Sequence, residues 1–212
     1  MITLNFRGLD AVKRAFKRDQ ETALRALQLA VNAAARYAAR EGSKGIRSEV
    51  NFKRTYIGDA SQPGSRLRIT KTANRGDLTA VISAQDRATS LARFATGTPT
   101  FGRRKGKRPV RVKVGAGAGS KKMPGAFFVR LNKGASFTED QYNLGLVVRT
   151  RGGKLKNKNF GASPFGKSGN LFLVHGPSVA QVFEGVSADI SDDVADFAVT
   201  EFLRQQSRLA RG

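Results

Sequence analysis

MPGAFFVRLNKG (Met123–Gly134), GLVVRTR (Gly145–Arg151) and LFLVHGPSVAQVF (Leu171–Phe183) hold three short apolar runs separated by loops rich in Gly, Lys and Asn. Apolar runs of this length bounded by such loops read as strands, so this half of the chain predicts a sheet carrying strongly positive loops. Working outward, PVRVKV (Pro109–Val114) puts Val110, Val112 and Val114 on one face and Arg111 and Lys113 on the other, the clearest period of two in the chain. SRLRITKT (Ser65–Thr72) and LTAVISA (Leu78–Ala84) flank the turn residues Asn74-Arg75-Gly76-Asp77 and predict a β-hairpin. Ile2–Phe6 alternates like a short strand, and SLARFATGT (Ser90–Thr98) reads as a helical turn or an irregular crossover.

Two helical patterns bracket these strands. Leu9, Val12, Phe16, Ala23, Leu27, Ala30 or Val31, Ala34 and Ala38 recur mostly every three or four residues, which predicts one amphipathic helix from about Asp10 to Glu41. Asp10 in its first turn suits the helix dipole, and Gly42 and Gly45 are expected to end it. Some 32 residues make a rod of about 48 Å, more than one small sheet requires. Either part of its Ala-rich face packs on a neighbouring subunit or the face covers its own sheet. Ser178–Phe183 reads as a short helical turn. Asp189–Arg211 reads as a terminal helix with Asp192, Asp193 and Asp196 early and Arg204, Arg208 and Arg211 late. That acidic start either complements the helix dipole or meets the basic half of an adjacent copy. The expected fold class is α+β: an antiparallel or mixed sheet, or a partly closed barrel, flanked by a long N-terminal and a C-terminal helix. We expect a single domain over residues 1–212, with basic loop excursions near 99–123 and 151–170.

Charge narrows the partners. With 38 Lys and Arg against 16 Asp and Glu the chain carries +22, which repels itself and draws in polyanions or acidic surfaces. Residues 87–183 hold 19 of those cations against only Glu139 and Asp140. The candidate contacts to nucleic acid or to partners are Arg103, Arg104, Lys105, Lys107 and Arg108 in the first basic loop, Lys121 and Lys122 after a glycine run, and Arg151, Lys154, Lys156, Lys158 and Lys167 in the second. Arg151–Asn170 holds no acid and no periodic pattern, as a loop that orders against a partner would. Its Phe160 and Phe165 either stack on bases or anchor the loop on a neighbouring protein.

Several chemistries lack their residues. There is no Cys, hence no disulfide framework and no thiolate metal site. Gly115–Ser120 (GAGAGS) with Lys121 matches neither G-x-x-x-x-G-K-[ST] nor G-x-G-x-x-G, so a mobile loop is expected in place of a nucleotide cradle. The single histidine, His175, has no partner set for a triad, and no Asp/Glu-x-Lys tripeptide of a metal nuclease occurs. We therefore expect no catalysis and no cofactor. MITLNFRGLDAVKRAF (Met1–Phe16) lacks the apolar core of a signal peptide, and no run of about 18 apolar residues occurs, so the expectation is a soluble chain not exported by the Sec route and bound to no membrane.

MPGAFFVRLNKG, GLVVRTRGG, HGPSVAQVF (His175–Phe183) and EFLRQQSRL (Glu201–Leu209), in this order after a long N-terminal helix, resemble the phage minor tail protein Z family of tail completion proteins. SLARFATGTP (Ser90–Pro99) more distantly resembles the aromatic-then-GT stretch of other tail completion proteins. The basic stretches at 101–108 and 151–170 match no family motif, so their role is not carried over. The resemblance implies a non-enzymatic virion component at the head-proximal end of the tail, assembled in the host bacterial cytoplasm and acting in tail completion, head–tail joining and DNA placement. It further implies a homo-oligomeric ring, with a hexamer favoured, that meets tail terminator, tail tube or neck and connector proteins. On this reading the basic residues either line the path of packaged double-stranded DNA through sequence-blind phosphate contacts or clamp neighbouring proteins. The competing reading is a sequence-independent nucleic-acid-binding protein without a virion role.

Overall fold

The computed structural model describes residues 9–96, 109–131, 143–150, 161–165 and 170–211. The chain divides into two compact units: a helical unit of residues 1–47, 53–86 and 179–212, and a sheet unit of residues 48–52 and 87–178. The fold is α+β, as expected. Among the described residues every strand pairing is antiparallel, the strands form three separate sheets, and no barrel closes.

In the helical unit the N-terminal helix is not one rod. It is α1 (Leu9–Arg18) followed by α2 (Gln20–Glu49), broken at Asp19. The side chain of Asp19 explains the break: its Oδ1 accepts the backbone N–H groups of Glu21 and Thr22, each at 3.1 Å, and so caps α2. Those contacts, Thr22 first, hold the Asp19 carboxyl below its usual range. At the other end α2 runs through Gly42 and Gly45, contrary to expectation. Both glycines serve close approach. A Cβ on Gly42 would lie 2.7 Å from the Phe183 ring, and one on Gly45 would lie 2.4 Å from Val186. These partners belong to α4 (Val179–Asp189), which is a full helix and not the single turn expected.

The Ala-rich face of α2 is covered within the helical unit mainly by a second helix, and Ile82 of the strand at 81–84 also packs against its Ala34–Ala38 cluster. The face packs along α5 (Ser191–Leu209), where Phe202 sits among Ala15, Ala23, Ala26 and Ala30, and Val194 and Ala198 meet Ala34 and Ala38. Tyr37 stacks on Phe197 with ring centroids 4.4 Å apart and planes 7° from parallel. The hairpin forms as expected from β1 (Leu67–Lys71) and β2 (Val81–Ala84), with Leu67 opposite Ala84 and Ile69 opposite Ile82. In its turn Asn74 Oδ1 accepts from the N–H groups of Gly76 and Asp77. Asn32 of α2 holds the turn's base by a two-way amide clamp, donating to Ala73 O at 2.9 Å and accepting from Ala73 N at 2.8 Å. A single turn, α3 (Arg54–Ile57), precedes the hairpin.

The sheet unit is built on the apolar runs of MPGAFFVRLNKG, GLVVRTR and LFLVHGPSVAQVF. They form β7 (Ala126–Leu131), β8 (Asn143–Arg149) and β10 (Leu171–Gly176), with β8 between the other two. Leu146 and Val147 of β8 are fully buried there. The short β3 (Thr89–Ser90) pairs with the end of β10. The 3₁₀ turn Leu91–Phe94 follows it, with Leu91 and Phe94 buried, in agreement with the turn expected there. A second sheet joins β4 (Ala95–Thr96), β5 (Val110–Val112) and β6 (Lys121–Met123), with Val110 and Val112 buried and Arg111 exposed as the period of two required. Met123 therefore ends one strand where it was expected to start one: Pro124-Gly125 turns, with Gly125 at φ 74°, and Ala126 begins β7. The stretch 151–170 also departs from expectation, because Gly161–Pro164 forms β9 and pairs with β10. Its GASP sequence has no apolar alternation; the backbone ladder alone makes the strand. The predicted strand at Ile2–Phe6 lies outside the described residues, as does Phe160.

Candidate polyanion-binding surfaces

Of the twelve basic residues singled out by sequence, ten lie outside the described residues: Arg103, Arg104, Lys105, Lys107, Arg108, Arg151, Lys154, Lys156, Lys158 and Lys167. The other two, Lys121 and Lys122, lie on β6 where a loop was expected. The β4–β5–β6 register aligns Thr96, Arg111 and Lys122 in one row across the three strands. Arg111 and Lys122 are therefore cross-strand neighbours of like charge, both exposed, and Arg111 Nη1 also reaches Ser120 Oγ at 3.3 Å. Like charges directly opposite one another destabilise a ladder, and an anion held between them removes that repulsion. The glycine run before β6 is a tethered loop: Gly115 bridges to Val50, and the Ala116 N–H donates to Glu49 O at 3.0 Å. No helix follows it.

A second cationic surface lies wholly within the helical unit. Arg36, Arg40, Lys44 and Arg47 of α2, with Arg54 of α3, line a cleft of about 710 Å³ whose apolar wall includes Ala39, Leu67 and Ile69. Ser43, Thr55 and Ser61 add hydroxyls. Two carboxylates are close. Glu41 accepts from Lys44 Nζ at 2.9 and 3.0 Å and from Arg40 Nε at 3.0 Å, and Lys44 first, then Arg40, hold its carboxyl below the usual range. The Arg40 and Lys44 side chains nevertheless stay 63% and 58% exposed, so these pairs leave them open to a further anion. Asp59 lines the cleft but its Oδ1 is engaged by the Ser61 backbone N–H at 2.9 Å and hydroxyl at 2.7 Å, which lower its pKa. This cleft escaped the sequence reading although its signal was present: cations at 36, 40, 44 and 47 share one helical face, a pattern that equally describes a solvated helix surface.

The single histidine, His175, belongs to the sheet unit. It is half-buried near the end of β10, and burial first, then the Arg87 charge, push its pKa down. Among the described residues no three His, Asp or Glu side chains group as metal ligands, and no helix is long and apolar enough to cross a membrane. Fold and surfaces together define an α+β protein with a cationic ribbon in one unit and a cationic cleft in the other. No family model matches the chain, and no curated protein or solved structure does either.

Proposed function

We propose that the chain is a non-enzymatic tail completion protein of a tailed phage, acting as a ring at the head-proximal end of the tail in head–tail joining and DNA placement. The observation that carries this reading is the ordered set of four segments, MPGAFFVRLNKG, GLVVRTRGG, HGPSVAQVF and EFLRQQSRL, that resemble the minor tail protein Z family. The charge supports it: a closed ring of chains at +22 each is tolerable only around DNA or against acidic neighbours. Mass spectrometry of purified virions or tails from the phage that encodes the chain tests the reading. We expect the protein in the tail fraction, and deletion of its gene to leave heads and tails unjoined; its absence from particles, with normal joining after deletion, sinks the proposal.

The charge distribution also favours a second reading, a sequence-independent nucleic-acid-binding protein without a virion role. Light scattering across a salt series, with and without duplex DNA, separates the two in solution. A ring that forms without nucleic acid favours the tail protein, whereas a monomer that only coats DNA favours the alternative.

A further inference from the structure

We propose that the cationic cleft of the helical unit is a sequence-blind binding site for the phosphate backbone of a nucleic acid. The inference rests on this cleft alone and does not depend on the tail assignment. Along α2 the cations Arg36, Arg40, Lys44 and Arg47 follow at intervals of four, four and three residues, a row of about 16 Å at 1.5 Å per residue. Arg54 lines the same cleft from α3. Like charges at such spacings each cost a helix a few tenths of a kcal/mol, a repulsion that Glu41 only partly offsets. A ligand that relieves it along its whole length carries charge at regular short intervals. A nucleic-acid strand does so, with one phosphate per about 3.4 Å of duplex axis. Guanidinium forks, four of the five cations, suit phosphate oxygens.

One feature favours nucleic acid over an acidic protein segment. The lining holds no aromatic side chain, so it lacks the anchor pockets on which protein interfaces concentrate their binding energy. For the same reason bases have nothing to stack on, which leaves the backbone as the recognised part. An acidic segment such as Asp192–Asp196 of a second copy is the competing occupant, and the experiment is built to expose it.

The test measures binding of a mixed-sequence DNA duplex to the full chain by fluorescence anisotropy over a salt series. The variant Arg36→Gln/Arg47→Gln/Arg54→Gln should bind about tenfold more weakly at low salt, and the slope of log K against log salt should shrink by about 2.7 for three lost phosphate contacts. The charge-matched variant Lys13→Gln/Arg14→Gln/Lys17→Gln changes exposed cations of α1 and should shift the slope by less than about one. Equal losses in both variants assign the binding to the field of the whole chain and overturn the proposal. A footprint on the wild-type protein decides independently of any variant's folding: DNA should protect Lys44 from acetylation and leave Lys13 and Lys17 reactive. An unprotected Lys44, or protection by polyglutamate stronger than by DNA, also overturns it, the latter in favour of an acidic protein partner.

Discussion

The two units carry equal numbers of cations, 19 each, but the helical unit has 13 acids and the sheet unit 3, giving net charges of +6 and +16. The difference shows in how their charges are used. In the helical unit carboxylates cap and pair locally: Asp19 caps α2, Lys71 pairs with Asp77, and Glu201 accepts from Arg204 twice at 2.7 Å and from Gln205 at 2.6 Å. In the sheet unit Arg111 and Lys122 face each other with no acid in their row. Apart from the α2 row of cations, the helical unit has its charge worked into its own stability; the sheet unit holds Arg111 and Lys122 against its own stability, as a surface kept for a partner does.

Five substitutions break or sharpen that contrast. The largest effect is expected at Phe202, 1% exposed among four alanines: Phe202→Ala should cost about 3–5 kcal/mol, read from denaturant unfolding followed by helix ellipticity. It tests whether the helical unit rests on the α2–α5 seam. Next, Gly45→Ala should destabilise by about 1–3 kcal/mol despite alanine's better helix propensity, because Val186 leaves no room. The control Gly185→Ala, in α4 with open space around it, should raise the melting temperature by the equivalent of about 0.5–1 kcal/mol.

Acid should then separate the two units. Arg204, ahead of Gln205, holds the Glu201 carboxyl below its ordinary value of 4.5. A depressed carboxyl contributes stability that is complete above the ordinary value and lost as pH falls through the lowered one. Asp77, lowered to about 2 chiefly by Lys71, responds in the same direction. As pH falls below 4.5 the wild type should therefore lose more stability than Glu201→Gln, by about 0.5–1.5 kcal/mol in equilibrium unfolding. An equal loss in both would detach Glu201 from the acid response. The smallest effect has the opposite sign. Lys122→Glu places an acid opposite Arg111 and should stabilise the β5–β6 ribbon by about 0.2–1 kcal/mol in hydrogen-exchange protection, while weakening polyanion binding. Loss of stability there would show that Lys122 supports the sheet and is not held for a partner.

What the sequence disclosed follows the range of the forces involved. The strands β7, β8 and β10, the Val110–Val112 alternation, the hairpin and the terminal helix are written in local apolar periodicity and turn residues. The passage of α2 through Gly42 and Gly45 is not, because the reason lies at Phe183 and Val186, about 140 residues away. The break at Asp19 was masked by an apolar rhythm that continues from Phe16 to Ala23, although an Asp ahead of Glu21 and Thr22 is a plausible cap by itself. β6 and β9 were missed because KKM and GASP have no alternation and owe their form to neighbouring backbone. Of the candidate surface, the sequence reading reached only Lys121 and Lys122 among the described residues; their alignment with Arg111 depends on register, and the α2–α3 cleft on a fold that brings positions 36 to 54 around one hollow.

The alanine row of α2 has a mechanical consequence. Alanine has no side-chain rotation to freeze, so a seam lined with it closes at little entropic cost. It is also smooth, and a smooth seam supplies no notch against axial sliding. Phe202, seated among Ala15, Ala23, Ala26 and Ala30, and the Tyr37–Phe197 stack farther along act as two detents on an otherwise slippery track. Together they fix where α5 stops along α2, and with it the phase at which the acidic start of α5 is presented.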